Sequence, residues 1–151
     1  MTSQKELVEQ LCSKADRLRA MRALMGAVNA RDLRSVELTE AAFAALVAGL
    51  SHSNPQVRWW SVQLLDHCPD PRSVDAIAPL LDDPVPRVRR NAAHALSCIV
   101  CKPSWTGQLA ESVIERLSAM AHSDPNAKVR AEATAALRIR FVGGRWGDVG
   151  D

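Results

Sequence analysis

No apolar run in this 151-residue chain approaches the ~20 residues needed to cross a bilayer. The opening stretch MTSQKELVEQLCSKADRLRA carries charges throughout and has no apolar centre, so it is not expected to act as a secretory leader. A cytoplasmic protein with no membrane contact is the expectation. Charge of one sign is also lacking: 19 basic against 17 acidic side chains leave a formal charge of +2, with no basic or acidic block. Bulk electrostatics therefore argues against nucleic acid as the partner. The four cysteines, Cys12, Cys68, Cys98 and Cys101, are too few and too unevenly spaced for a disulfide scaffold, and reduced thiols are expected.

Catalytic signatures are missing too. There is no glycine-rich phosphate loop, no HExxH and no GxSxG. His52 and His122 recur in similar turns, HSN and HSD, which speaks for repeat architecture. Asp66, Asp70 and Asp75 fall near helix ends, where capping and solvation account for them. No catalytic residue and no cofactor is expected.

What the chain does have is internal repetition. VRWWSVQLL from Val57, VRRNAAHAL from Val88 and VRAEATAAL from Val129 are three copies of one pattern, each preceded by a proline-bearing turn, HSNPQ, DDPVPR and HSDPNAK. The second interval is longer because it contains CKPSWTGQ. Before each turn lies another helical apolar pattern: FAALVAGL, VDAIAPLL and VIERLSAMA. Thr39 and Ser73 can cap these helices, and Pro55 and Pro86 suit a first helical turn. Each unit reads as helix, turn, helix.

The residues Asp83-Pro84, Val88-Arg89, Ala92 and Leu96, and again Asp124-Pro125, Val129-Arg130, Ala133 and Leu137, resemble the HEAT-like repeat family, of the PBS-lyase type, over about residues 38 to 140. The first copy departs from the pattern, with Asn54-Pro55 in place of Asp-Pro and Ser61 where a small alanine is usual. Pro79 matches a first helix that tolerates a kink. The resemblance implies an all-α fold, a short right-handed α-solenoid of about seven helices. One domain over 1–142 is expected: a degenerate N-terminal cap at 1–37, one long helix or a worn repeat, then repeats at 38–70, 71–103 and 104–142. Residues 143–151 read as a flexible glycine-rich tail.

With Val57 at 0° and about 100° per residue, Ser61, Leu64, Leu65 and Cys68 form the buried stripe. Val88, Ala92, Ala95, Leu96 and Ile99 repeat it, as do Val129, Ala133, Ala136 and Leu137. Trp60 lies on the shoulder at about 300° and Trp59 nearly opposite the core at about 200°. In HEAT-like solenoids the second helices line the concave face. The resemblance thus implies a partner-binding groove of Trp59, Gln63, Asp66, Arg90, His94, Ser97, Ala135 and Arg138. The tryptophans remain open to another role, as a core extension covered by the N-terminal helix or by the tail FVGGRWGDVGD.

Arg58, Arg89 and Arg130 sit at the edge of the stripe and hold repeats together in this reading. The family resemblance pairs Arg58 with Asp82 or Asp83, and Arg89 with Asp124. His94, Cys98 and Cys101 share one helical face at i, i+4 and i+7, with His67 and Cys68 at the same height on the preceding second helix. Cys68, His94, Cys98 and Cys101 are accordingly a minor zinc candidate, although a lone CIVC lacks the paired knuckles of a strong zinc signature.

The sequence therefore points to a protein-protein interaction or scaffold module, monomeric or weakly dimeric. Two alternatives stand beside it. HEAT-like alkylpurine DNA glycosylases use tryptophan, aspartate and arginine on a basic surface, a set that Trp59, Asp66 and Arg90 imitate; a zinc- or thiol-containing regulator is the other. No residue here specifically supports a bilin lyase.

Overall fold

The computed structural model describes residues 1–25, 38–68, 70–98 and 109–143. Eight α-helices and no strand occur among the described residues: α1 Gln4–Gln10, α2 Arg17–Met25, α3 Glu40–Gly49, α4 Pro55–Asp66, α5 Arg72–Ile77, α6 Pro86–Ser97, α7 Glu111–Ser123 and α8 Ala127–Gly143.

Local chemistry explains the boundaries. Helix α1 opens on a capping box, in which Ser3 Oγ accepts from Glu6 N at 3.2 Å and Glu6 returns its carboxylate to Ser3 N at 2.8 Å. The N-terminal region is two helices rather than one long one. Ser13 Oγ accepts from Asp16 N at 3.3 Å, turning the chain between α1 and α2. Thr39 caps α3 as expected, accepting from Ala42 N at 3.2 Å. Asn54 caps α4 ahead of Pro55, accepting from Gln56 N at 2.9 Å.

Ser73 does not cap. It lies inside α5, buried, and donates its hydroxyl to Asp70 O at 2.7 Å, while Asp70 Oδ1 takes Arg72 N at 2.9 Å. Pro79 does more than kink the following turn. Lacking an N–H, it ends the α-helix at Ile77, and the chain continues as a 3-10 turn over Ala78–Asp82 that still buries Leu80 and Leu81.

Helix pairs α3/α4, α5/α6 and α7/α8 pack as hairpins, and the second members, α4, α6 and α8, stack side by side. The expected stripe is the core: Val57, Val88 and Val129 are buried, as are Leu64, Leu65 and Leu96, and they join Leu46, Ile77, Leu81 and Leu117 from the first helices. Ile99 lies outside the described residues, as do the CKPSWTGQ segment and the tail after Gly143.

The Val-Arg arginines form a ladder between hairpins. Arg58 grips Asp83 bidentately, Nε to Oδ2 at 2.7 Å and Nη2 to Oδ1 at 3.0 Å; Arg89 repeats this with Asp124 at 2.8 and 3.0 Å. Asp82 instead meets Arg116 at 2.6 Å. Each arginine also donates Nη1 to the carbonyls five and six residues earlier: Arg58 to His52 and Ser53, Arg89 to Asp83 and Pro84, Arg130 to Asp124 and Pro125. Hydrogen bonding from Arg89 lowers the Asp124 carboxyl below its ordinary value and raises Arg89 above its own, and the bonds to Asp83 likewise raise Arg58.

This ladder corrects the register of the first repeat. The residue matching Asp83 and Asp124 is His52, not Asn54. Asp83 Oδ1 takes Val85 N at 2.8 Å, Asp124 Oδ1 takes Asn126 N at 2.9 Å, and His52 Nδ1 takes Asn54 N at 3.0 Å. An imidazole nitrogen thus substitutes for the turn-closing carboxylate in the first repeat. His52 Nε2 faces Glu9 of α1 at 3.7 Å instead. His122, in the last turn of α7 with Nδ1 at 3.1 Å from Ser118 O, is not its equivalent.

Candidate functional site

The helical stripe next to the core defines a cleft of about 480 Å3 on the second helices. It is lined by Trp59, Arg87, Arg90, Asn91, His94 and Glu132, with Pro86, Asn126 and Lys128 at the helix starts. Counted from each Val of the Val-Arg pairs, all of these but Pro86 and Asn126 occupy positions −1, +2, +3 and +6. That is i, i+3, i+4 and i+7, one continuous face.

Trp59 is half-buried and packs against the core rather than standing opposite it. The Arg87 guanidinium lies 4.4 Å from its ring centroid, and Trp60 meets it edge-on with centroids 4.7 Å apart. Asn91 Nδ2 donates to Trp59 O at 3.0 Å, tying α6 to α4. The indole is therefore held from two sides before anything binds. Trp60 is covered from the N-terminal end: Arg17, which opens α2, lies 4.5 Å from its centroid and donates Nε to Leu11 O at 2.8 Å. Trp146 falls outside the described residues.

Across the cleft, Glu132 of α8 bridges two residues of α6. Its Oε2 takes Arg90 Nε at 3.2 Å and its Oε1 lies 3.1 Å from His94 Nδ1. Three cationic side chains, Arg87, Arg90 and Lys128, thus share the cleft with one carboxylate, Glu132.

Of the residues expected on this surface, Trp59, Arg90 and His94 line the cleft. Gln63 is half-buried and outside its lining, and Arg138 is exposed on α8, also outside it. Asp66 and Ser97 are not on the surface, at 1% and 2% exposure. Both occupy the last position of a second helix, which the wheel puts outside. Ser97 folds back, donating to Ala93 O at 3.1 Å, and Asp66 is overlaid by His94 of the next hairpin, Nε2 to Oδ2 at 3.8 Å. Arg138 holds the same position on α8, where no described hairpin follows. Arg87, Asn91, Lys128 and Glu132 were missed, although their wheel positions flank those of Trp59 and Arg90.

The zinc candidate is also rearranged. Among the described residues, His94 and Cys98 come together with Asp66, their donor atoms all within 4.8 Å of one another, and Cys68 is not part of the group. Cys101 lies outside the described residues.

Stacked hairpins whose second helices share one lined face define an α-solenoid. The chain matches the family model for HEAT repeats over residues 43–138, and it belongs to that family. Among solved structures it is similar to human deoxyhypusine hydroxylase, determined in complex with glycerol. The two are 25% identical with a TM-score of 0.59, and the match covers 93% of this chain and 44% of that one. The chain thus spans less than half the length of that protein. No match was found among curated proteins. No described helix is long and apolar enough to cross a membrane.

Proposed function

We propose that this HEAT-repeat chain is a scaffold module that binds a partner protein through the cleft on α4, α6 and α8, and that the partner presents an acidic segment there. One observation carries the reading: a preorganised indole, Trp59, shares a cleft of about 480 Å3 with Arg87, Arg90 and Lys128 against a single carboxylate. Four of the wall residues, Arg87, Asn91, Arg90 and His94, are already in contact with Trp59 or Glu132. Arg87 stacks on Trp59, Asn91 holds the Trp59 carbonyl, and Arg90 and His94 share Glu132. Little side-chain entropy is left to lose on docking, so contact energy converts to affinity with small offset. A half-buried aromatic amid arginines is also the composition of an interface hot spot.

The glycosylase reading is not favoured, because Asp66 does not converge with Trp59 and Arg90 on the surface. The hydroxylase similarity supports the architecture.

The test is fluorescence polarisation with labelled peptides of one length and acidic, neutral or basic composition. Acidic peptides bind the wild type in a salt-dependent way, and Trp59→Ala and Arg87→Glu each weaken them at least tenfold while circular dichroism remains unchanged. Equal binding of all three peptides, or binding indifferent to both substitutions, rejects the reading.

A further inference from the structure

We infer that Asp66, His94 and Cys98 form a zinc site bridging two consecutive repeats. Asp66 ends α4, while His94 lies in the last turn of α6 and Cys98 caps it, with Cys98 N donating to His94 O at 2.9 Å. The i, i+4 spacing brings imidazole and thiol to one side of the helix end. The donor atoms of the three residues lie within 4.8 Å of one another, and His94 Nε2 is 3.8 Å from Asp66 Oδ2. Around a tetrahedral zinc with bonds of about 2.0 to 2.3 Å, donors stand roughly 3.5 Å apart. The set therefore closes by about 1 Å or less on binding.

Three features distinguish this cluster from a plain His-Asp pair. The first is orientation. Glu132 Oε1 stands 3.1 Å from His94 Nδ1, and Arg90 holds the same carboxylate at 3.2 Å. A carboxylate on Nδ1 fixes the tautomer and leaves Nε2 as the free donor on the side of Asp66, the arrangement that supports metal-bound histidines. The second is donor chemistry. One nitrogen, one carboxylate oxygen and one thiolate sulfur suit zinc, whereas magnesium and calcium select oxygen alone. The third is burial. The Asp66 side chain is 1% exposed and Cys98 is buried, so a divalent cation offsets the charge that ionising the thiol places beside the carboxylate.

Three protein ligands leave a fourth position for water or an outside donor. Because His94 also lines the cleft, zinc would tie the repeat junction to its wall. The inference does not rest on partner binding, and its test is separate.

The full chain, purified, stripped with a chelator and titrated with cobalt(II) and then zinc, provides that test. Expected are one equivalent of cobalt, the visible bands of a tetrahedral centre, a thiolate-to-cobalt charge-transfer band, and displacement by zinc with a rise in melting temperature. Cys98→Ser abolishes the charge-transfer band and His94→Ala weakens binding at least tenfold. Glu132→Gln weakens it by about 10-fold, and Cys68→Ser leaves the bands unchanged. His94→Ala alters a half-exposed side chain and serves if Cys98→Ser does not fold. Absence of saturable binding, a charge-transfer band that survives Cys98→Ser or disappears in Cys68→Ser, or affinity unchanged in His94→Ala overturns the site.

Discussion

Arg58, Arg89 and Arg130 occupy one repeat position but do not hold the same contacts, and this inequality makes a quantitative prediction. Arg89 makes two hydrogen bonds to Asp124, at 2.8 and 3.0 Å, and donates to the Asp83 and Pro84 carbonyls. Its side chain is 10% exposed and that of Asp124 4%. Arg89→Ala therefore strands a buried carboxylate, which retains the Asn126 N–H but loses its counter-charge. Removing one partner of a buried pair costs about 3 to 5 kcal/mol, most of it the penalty on the charge left behind. Arg58→Ala falls in the same range, since Arg58 and Asp83 are buried to a similar degree. Among the described residues Arg130 donates only to the Asp124 and Pro125 carbonyls of its own turn, so Arg130→Ala costs about 1 kcal/mol. At roughly 3 °C per kcal/mol for a chain of this size, the melting temperature drops by about 10 °C for Arg89→Ala and by about 3 °C for Arg130→Ala. Urea denaturation checks the energies, and the double substitution Arg89→Ala/Asp124→Ala is less destabilised than the sum of its parts. Equal losses for Arg89→Ala and Arg130→Ala would refute the claim that the inter-repeat carboxylate, rather than the turn carbonyls, gives the ladder its strength.

Further outcomes follow from single contacts. Ser61 is fully buried with no hydrogen-bond partner for its hydroxyl among the described residues, where the other repeats carry Ala92 and Ala133; Ser61→Ala stabilises the chain by about 1 kcal/mol in urea unfolding. A Cβ on Gly49 would lie 2.2 Å from Ser61 Oγ and 3.0 Å from Val8 Cγ1, so Gly49→Ala destabilises by about 1 to 3 kcal/mol, and Ser61→Ala partly rescues it. The Asp124 carboxyl is lowered in the folded state, chiefly by its hydrogen bonds from Arg89. Its contribution is therefore complete above the unfolded carboxyl pKa of about 3.9 and is lost as pH falls through the lower folded value. Acid titration of stability shows this loss, and Arg89→Met reduces it.

The repeat architecture was readable because its determinants are local and recur: valine, arginine, small residue and leucine at helical spacing, with proline at the turn. The ladder pairing followed from the family pattern because an arginine at that position has one neighbouring turn within reach. Side chains whose surroundings come from another repeat were harder to place. A helical wheel puts Trp59 opposite the core, but it knows nothing of Arg87 from the next helix, which covers that indole. It likewise exposes Asp66 and Ser97, which the end of the hairpin buries. The place of His52 was within reach of the sequence, since His52, Asp83 and Asp124 each stand five residues before the valine of a Val-Arg pair, and the Arg58 bond to its carbonyl bears that register out. The cleft face was within the reach of the sequence, since Arg87, Asn91 and Glu132 flank the wheel positions of Trp59 and Arg90.

The central claim is that partners dock in the cleft on α4, α6 and α8. A photo-crosslinking amino acid placed at the cleft in Ala131 or Ala135, which adjoin Arg90, Lys128 and Glu132, and in parallel at Ala119 on the exposed side of α7, measures this in cell extract. The account predicts a discrete protein adduct from the cleft positions that an acidic peptide suppresses, and none from Ala119. Adducts from Ala119 alone, or cleft adducts that the acidic peptide does not diminish, would contradict it.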